Sequence, residues 1–526
     1  MDNARNPLIT NPGYFKSIWD VDAWILGVLI YLGILIVLAY LYVDYDHPFL
    51  LATISRALYV DEGFYSDAAQ NFIRFGVWDL PHDSRHWPGT PFATLLQTMV
   101  FSVFGVSITV VRMICVVSSA ISGLALFFIA RTTLSNLFAF LLVVVAMLNF
   151  NFVAFSRSAV IDPIASCLML LSLLAFIKIK RRHLALVMSL LLAYFALLSK
   201  MYFLFVIVAL CILWGFELVV IPMFKKRIID RSSVVLFVVT LIFVGGSFVL
   251  MRQFFHAEFS HYIFMVGDKF PSLDIHYLYT RIIKSMDLLW FTTKNLVFIC
   301  AILLVLGYQM IMLLTPRSLR AKLQNTGKIH WQELAMMLVL LLGLGLISLS
   351  TQHKDQYFYF SLLLIPYASA VIIYQLLPRK LGLIAIIATC GYFLFNQYPY
   401  YAEWFGRTQK TAIYDASVAT IELIEQNSTE DMIPVIGEYS AELGLYSKRL
   451  QSLDVKWVSL DKLCKRIEYW RPKFHVNVVW PNSASSTARD ILLKCDVVTD
   501  YQEINRFSLF EPRKDELVLT RLEYKL

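Results

Sequence analysis

Windows of roughly 20 consecutive apolar residues recur along this chain, each long enough to cross about 30 Å of hydrocarbon. Apolar residues make up 58% of the sequence and charged residues only 16%. A soluble domain carries about 45–50% and about 25% respectively. The chain therefore reads as a polytopic α-helical membrane protein. Its net charge of +8 follows from basic loops at one membrane face, which removes any need for a nucleic-acid partner.

Those basic loops set the expected orientation. Lys178, Lys180, Arg181 and Arg182 form one cluster; Lys225, Lys226, Arg227 and Arg231 form a second. Arg317, Arg320, Lys322 and Lys328 form a third, and Arg379 with Lys380 a fourth. Placing all four in the cytoplasm predicts spans near 22–43, 108–130, 134–150, 158–177, 183–199, 202–220, 233–251, 287–314, 332–350, 357–377 and 381–398. That is eleven spans, with the N-terminus inside and the C-terminus outside. The first run is too long for the apolar part of a signal peptide and lacks a small-residue cleavage site, so it is expected to be a signal-anchor. Residues 91–105 are apolar but short, and counting them as a span would reverse every later basic loop. They are expected to form a helix at the outer interface, within a first outer loop over 44–107.

On this map polar residues collect outside. The first outer loop holds the adjacent acids Asp61 and Glu62, with Asp67, Arg74, Arg85, His86 and Trp87. Arg157 and Asp162 flank a span start, Lys200 ends a span, and a long outer loop at 252–286 holds Lys269 and His276. A shorter loop adds Lys354. Adjacent carboxylates at a membrane face are costly to desolvate and usually have a task.

Residues 399–526 differ in composition: charges, Ser and Asn rise while apolar runs shorten. Helical patterns near 413–427, 460–470 and 484–494 alternate with strand-like runs at 432–436, 475–480, 505–510 and 516–521, predicting a small α/β domain outside the membrane. Of seven cysteines, Cys115, Cys167, Cys211, Cys300 and Cys390 fall in spans, where packing explains them. Cys464 and Cys495 lie in the polar region, where an oxidising exterior would let them pair.

Several short pieces then occur in a telling order. Val60-Asp61-Glu62-Gly63-Phe64-Tyr65 is followed by Arg85-His86-Trp87-Pro88-Gly89-Thr90-Pro91 and by Arg157-Ser158-Ala159-Val160-Ile161-Asp162-Pro163. Leu198-Ser199-Lys200 comes next, then Gln356-Tyr357-Phe358-Tyr359 with Pro366 beyond. Across about residues 20–398 this resembles the GT-C glycosyltransferases that use polyprenyl-phosphate sugars. The bacterial aminoarabinose (lipid A) transferases and the protein O-mannosyltransferases are the nearest likenesses, the former also for the α/β tail. Two departures stand out: Trp87-Pro88-Gly89 replaces a frequent Lys-Pro-Pro, and Lys200-Met201-Tyr202 replaces a frequent Lys-Gly-Pro.

The resemblance implies a GT-C membrane domain over 1–398 and an extracytoplasmic α/β domain over 399–526. It implies an inverting enzyme of the cytoplasmic membrane that passes a sugar from a polyprenyl-phosphate carrier to a glycolipid, polysaccharide or protein acceptor at the outer, periplasmic face. The bacterial look of the tail implies undecaprenyl phosphate as the carrier. Asp61 is then the general base that deprotonates the acceptor; an N-capping role at the start of a helix is its bland alternative. Glu62 and Asp162 are further catalytic candidates, although Asp162 and Arg157 also make sense as a simple ion pair. Arg157, Lys200, Lys269 and Lys354 are candidates for the lipid phosphate, against snorkelling to headgroups. Tyr357 and Tyr359 are candidates for donor contacts, against membership of an interfacial aromatic belt. His86 and His276 correspond in place to a divalent-metal site of the aminoarabinose branch, although two distant histidines without a spacing motif are a weak ligand signal. A secondary transporter or an envelope-polymer assembly protein are the other classes. The first would put its ionisable residues at mid-membrane in repeated halves, and the second leaves Asp61 and Glu62 unexplained.

Overall fold

The computed structural model describes residues 23–40, 57–81, 90–224, 229–254, 331–348, 359–376, 379–406, 412–437, 439–453, 460–479, 492–495, 497–510 and 515–525. The expected span at 287–314, nearly all of the loop at 252–286, and Arg85, His86, Lys269, His276, Lys354 and Tyr357 lie outside the described residues.

The membrane portion begins with α1 (Ala23–Tyr40), α2 (Ala57–Phe75), α3 (Pro91–Phe104) and α4 (Ile108–Ala130). It continues with α5 (Asn136–Met147), α6 (Phe150–Ser156), α7 (Asp162–Lys178), α8 (Arg182–Ser199), α9 (Leu204–Gly215), α10 (Ile221–Phe224) and α11 (Arg231–Phe254). Beyond these come α12 (Trp331–Ser348), α13 (Tyr359–Leu376) and α14 (Arg379–Gly406). Among the described residues, Ile108–Ala130, Arg182–Ser199, Met201–Val220 and Arg231–Leu250 are long and apolar enough to cross a membrane. The pair α5–α6 makes a fifth if taken as one broken span, and shorter apolar helices occupy parts of the spans expected near 22–43, 332–350 and 357–377.

Burial patterns explain how these helices pack. On α1, Leu26, Ile30, Ile34 and Leu38 recur every fourth residue and are buried, while Trp24, Val28, Leu32 and Ile36 are exposed. The buried stripe rests on α4 at two glycines: Gly27 faces Leu124, Phe127 and Phe128, and Gly123 faces Ile30 and Ile34. Small residues of this kind let membrane helices approach closely. Helix α3 occurs where a helix is expected, and polar residues share its buried face while its exposed face is apolar. It buries Thr94, Gln97 and Thr98 and exposes Leu95, Met99, Val103 and Phe104, the arrangement suited to a lipid-facing surface.

The span expected at 134–150 ends early: α5 stops at Met147, and the short helix α6 beyond it is turned by 72°. Asn149 causes the break: its side-chain oxygen accepts the amides of Asn151 and Phe152 at 3.0 and 3.2 Å, capping a new helix. The last expected span also differs, because α14 runs through Pro399 to Gly406. Its Gln397 Oε1 accepts the Phe150 amide and its Tyr401 hydroxyl donates to the Leu148 carbonyl, bracing the bend.

The C-terminal part contains α15 (Ala412–Gln426), β1 (Ile433–Ile436), α16 (Ser440–Leu443), β2 (Leu450–Leu453) and α17 (Leu460–Trp470), then β3 (Phe474–Val479), β4 (Val498–Phe510) and β5 (Asp515–Tyr524). The strands form a mixed sheet of order β2-β1-β3-β5-β4, with β1 parallel to β2 and β3, and β5 antiparallel to β3 and β4. Strand β2 and helix α16 are additions to the expected elements; both are four residues long, too short to show a period. The pattern expected at 484–494 lies almost wholly outside the described residues. Cys464 on α17 and Cys495 before β4 form a disulfide. A continuous apolar core joins the membrane helices to this sheet through Ile433, Val435, Leu450, Phe474 and Leu517, so the sheet is packed onto the helices.

Candidate functional site

Segments remote in sequence meet around the first two turns of α2. Asp61 and Glu62 lie within that helix, which begins at Ala57. Asp61 is therefore not an N-cap residue. It is 7% exposed and Glu62 is 1% exposed. The same helix buries Ser66, Asp67, Gln70 and Asn71, an unusually polar set whose partners come from other parts of the chain.

Glu62 is gripped on both oxygens. Arg112 of α4 donates Nε to Oε1 and Nη2 to Oε2, each at 2.6 Å, and the Ala159 amide donates to Oε1 at 2.7 Å. This two-pronged geometry is the strongest form of an Arg–carboxylate pair. Ala159 is presented by the turn between α6 and α7, which the Asn149 break directs to this point.

Asp162 opens α7, with Pro163 in the first turn, where a missing N–H costs nothing. Its carboxylate is paired with the Lys200 ammonium. Lys200 has extended backbone at the end of α8, and its carbonyl accepts the Phe203 amide at 2.9 Å. A short 3-10 turn over Met201–Phe203 thus follows Lys200 and leads into α9. Lys200 is 4% exposed and its ammonium stands 5.8 Å from the centre of the Tyr65 ring. Tyr65 is four residues after Asp61, on the same face of α2. Asp162 also lies within electrostatic reach of Asp61. Arg157, at the end of α6, is also buried.

The structure thus brings Asp61, Glu62, Asp162 and Lys200 into one buried region. Tyr359 is fully buried in α13, stacked on Phe152 at 5.2 Å, with its hydroxyl bonded to Ser119 and Ser156 at 3.0 and 2.8 Å. Those contacts tie α13 to α4 and α6. Among the described residues no group of three or more His, Cys, Asp or Glu side chains is placed to hold a metal ion.

Two participants were not singled out from sequence. Arg112 is a charge four residues into an apolar helix, and a charge in such a helix is itself a signal. Glu442 of α16 gave none. It reaches into the site from the C-terminal sheet, its Oε2 accepting the Gly63 amide at 2.6 Å. Further contacts secure α16 and its neighbours on α2. Arg74 donates to the carbonyls of Gly444, Ser447 and Leu450, Gln70 donates to the Ala441 carbonyl, and the Ser452 hydroxyl donates to Asp67. Burial lowers the Arg74 guanidinium to about 10, still charged at neutral pH.

Gly63 is the point of closest approach. A Cβ there would lie 2.2 Å from the Glu442 amide nitrogen and 2.4 Å from the Ala441 carbonyl carbon. Alanine is worth about 1 kcal/mol over glycine within a helix, so an unconstrained helix would gain stability from Gly63→Ala. Here the variant is expected to lower Tm and expose the C-terminal domain to protease. A raised or unchanged Tm would show that the contact between α2 and α16 is not tight.

Comparison with known proteins follows this geometry. Residues 88–251 match the family model described as dolichyl-phosphate-mannose-protein mannosyltransferase. No curated protein sequence matches the chain. Among solved structures, ArnT from Cupriavidus metallidurans bound to undecaprenyl phosphate aligns with a TM-score of 0.55 at 12% identity, over 94% of this chain and 97% of that one. Its apo form aligns with the same score and identity over 95% and 98%. The oligosaccharyltransferase of Archaeoglobus fulgidus gives 0.49 at 13% identity, over 91% of this chain and 72% of that one. The family match covers under a third of the chain, but that stretch carries Arg112, Arg157, Asp162 and Lys200. Residues 88–251, which carry the Asp162–Lys200 pair and Arg112, are thus similar to a mannosyltransferase family, and the chain as a whole shares the fold of ArnT.

Proposed function

We propose that this protein is a glycosyltransferase of the GT-C type that transfers one sugar, with inversion, from a polyprenyl-phosphate carrier to an acceptor hydroxyl at the extracytoplasmic face of the cytoplasmic membrane. The observation that carries this reading is the buried Asp162–Lys200 pair within electrostatic reach of the buried Asp61, where the helices meet the C-terminal part.

In this reading Asp61 takes the proton of the acceptor hydroxyl as its oxygen attacks the anomeric carbon. A C–O bond forms to the acceptor and the C–O bond to the carrier phosphate breaks, leaving a polyprenyl phosphate with added negative charge. Lys200 and Arg157 are the cations assigned to that charge, preorganised by burial. Asp162 holds Lys200 in position and, through it, the departing phosphate. Glu62 is assigned a supporting role, because Arg112 and Ala159 already occupy its oxygens. The carrier chain would lie along lipid-facing helices, as the exposed apolar side of α3 suits. ArnT was solved with undecaprenyl phosphate bound, which supports a carrier of that class here. The Cys464–Cys495 disulfide supports an oxidising location for the C-terminal domain. The sugar and the acceptor stay open between glycolipid, polysaccharide and protein.

The test is direct. Purified protein is incubated with a panel of polyprenyl-phosphate sugars and cell-envelope acceptors, and free polyprenyl phosphate is followed by mass spectrometry. Release with one donor, dependent on an acceptor, is the expected result; no release with any carrier would remove the transferase reaction as stated.

A further inference from the structure

Two carboxyl groups meet where α2, α4 and α16 come together. Glu62 accepts two N–H bonds from Arg112 and one from Ala159. Glu442 accepts the amide of Gly63, the residue next to Glu62, and its carboxyl group lies within electrostatic reach of the Glu62 carboxylate. Both acids are at most 2% exposed. The charged groups acting on Glu442 are Glu62 and Arg112; Tyr446, Tyr439 and Cys115 of α4 lie within electrostatic reach of this cluster, and Asp61 is one residue before Glu62 on α2. Of the other ionisable groups on the packed elements, Asp67 bonds Ser452, Arg74 bonds three backbone carbonyls, Tyr439 bonds Ser417, and His475 of β3 bonds Tyr501.

Two buried acids that share one guanidinium cannot both ionise at low dielectric, and a bond between them needs a proton between their oxygens. Arg112 is committed to Glu62 from both sides, so Glu62 is the ionised partner. The proton therefore resides on Glu442. We propose that Glu442 is held as a neutral acid that donates to Glu62 and accepts from Gly63, and that it is thereby a positioning residue, seating the C-terminal domain on α2 and fixing the turn that carries Asp61.

The electrostatics agree with the geometry. Burial, followed by the Glu62 charge, pushes the Glu442 carboxyl well above the usual carboxylate range, against the pull of Arg112. The folded state therefore keeps a proton that the unfolded chain releases. The stabilisation is complete below the ordinary carboxyl range and declines as pH rises towards the folded-state value, by up to about ten-fold in the folded-to-unfolded ratio per pH unit. Asp61 lies two residues from Gly63, so loss of this seat loosens the base. The part of the proposal concerning turnover rests on the assignment of Asp61 made above; the seat itself does not.

Glu442→Gln discriminates, because its amide donates to Glu62 and accepts from Gly63 as the neutral acid does, yet does not ionise. Full-length wild type, Glu442→Gln and Glu442→Ala are compared in Tm and in kcat and KM between pH 6 and 10. Wild-type Tm is expected to fall relative to Glu442→Gln as pH rises, and wild-type kcat to show an alkaline decline that Glu442→Gln lacks, with donor KM unchanged. Glu442→Ala is expected to lose both Tm and kcat at every pH. If it does not fold, the Gln comparison alone decides. Parallel Tm–pH curves for wild type and Glu442→Gln would overturn the neutral-acid seat. Diverging Tm curves with the same alkaline kcat limb in both proteins would overturn the positioning role. Diverging Tm curves with no turnover in any protein would leave the seat standing and count against the transferase reading instead.

Discussion

Asp61→Asn is expected to lower the rate of glycosyl transfer by about 10²–10⁴-fold, the usual contribution of a positioned general base. The change is nearly isosteric, so the fold and the amount of protein in the membrane are expected to stay as in wild type. Donor KM is expected to change little, because the proposed mechanism has Asp61 act on the acceptor proton and not on the carrier phosphate. The measurement is release of polyprenyl phosphate by both proteins under saturating donor. Equal release would keep the transferase and remove Asp61 as its base. Lys200 and Asp162 offer a contrast within the same assay: the proposed mechanism assigns them to the leaving phosphate, so their variants are expected to slow release with every donor of the panel.

Arg112→Met is expected to produce the largest change in stability. It removes the guanidinium that grips both oxygens of Glu62 and leaves a buried carboxylate beside a second carboxyl group. Breaking one partner of a buried ion pair costs about 3–5 kcal/mol, a large share of a typical total of about 5–15 kcal/mol. The double variant Arg112→Met/Glu62→Gln is expected to recover part of the loss, since a neutral amide still accepts the Ala159 N–H without stranding a charge. Thermal unfolding in detergent of the single and double variants reads this coupling. Strictly additive losses would show that the pair is not a unit.

The helices of the membrane portion were legible because their signal is local. An apolar window must be helical and of a given length wherever its neighbours are, and α4, α8, α9 and α11 all occur where the sequence places them. Asp61, Arg157, Asp162 and Lys200 were legible for a different reason: their order follows a known pattern, and a charge at the edge of an apolar run is conspicuous. The 72° break after α5 was not read from the sequence, although Asn149 was its signal. Helix α16 and strand β2 are too short for any periodicity to mark them.

By itself, then, the sequence determined a multi-span helical protein with an α/β C-terminal region and a polar cluster at one face, because hydrocarbon length, charge bias and residue order are properties of the chain read locally. Only the tertiary structure decided what the acids of that cluster do. Glu62 finds Arg112 at a separation of 50 residues and the Ala159 amide at 97, and Gly63 meets Glu442 at 379. Which carboxyl group is charged, which is neutral and which faces the reaction depends on partners brought over those distances, and the low dielectric where they meet makes each pairing decisive.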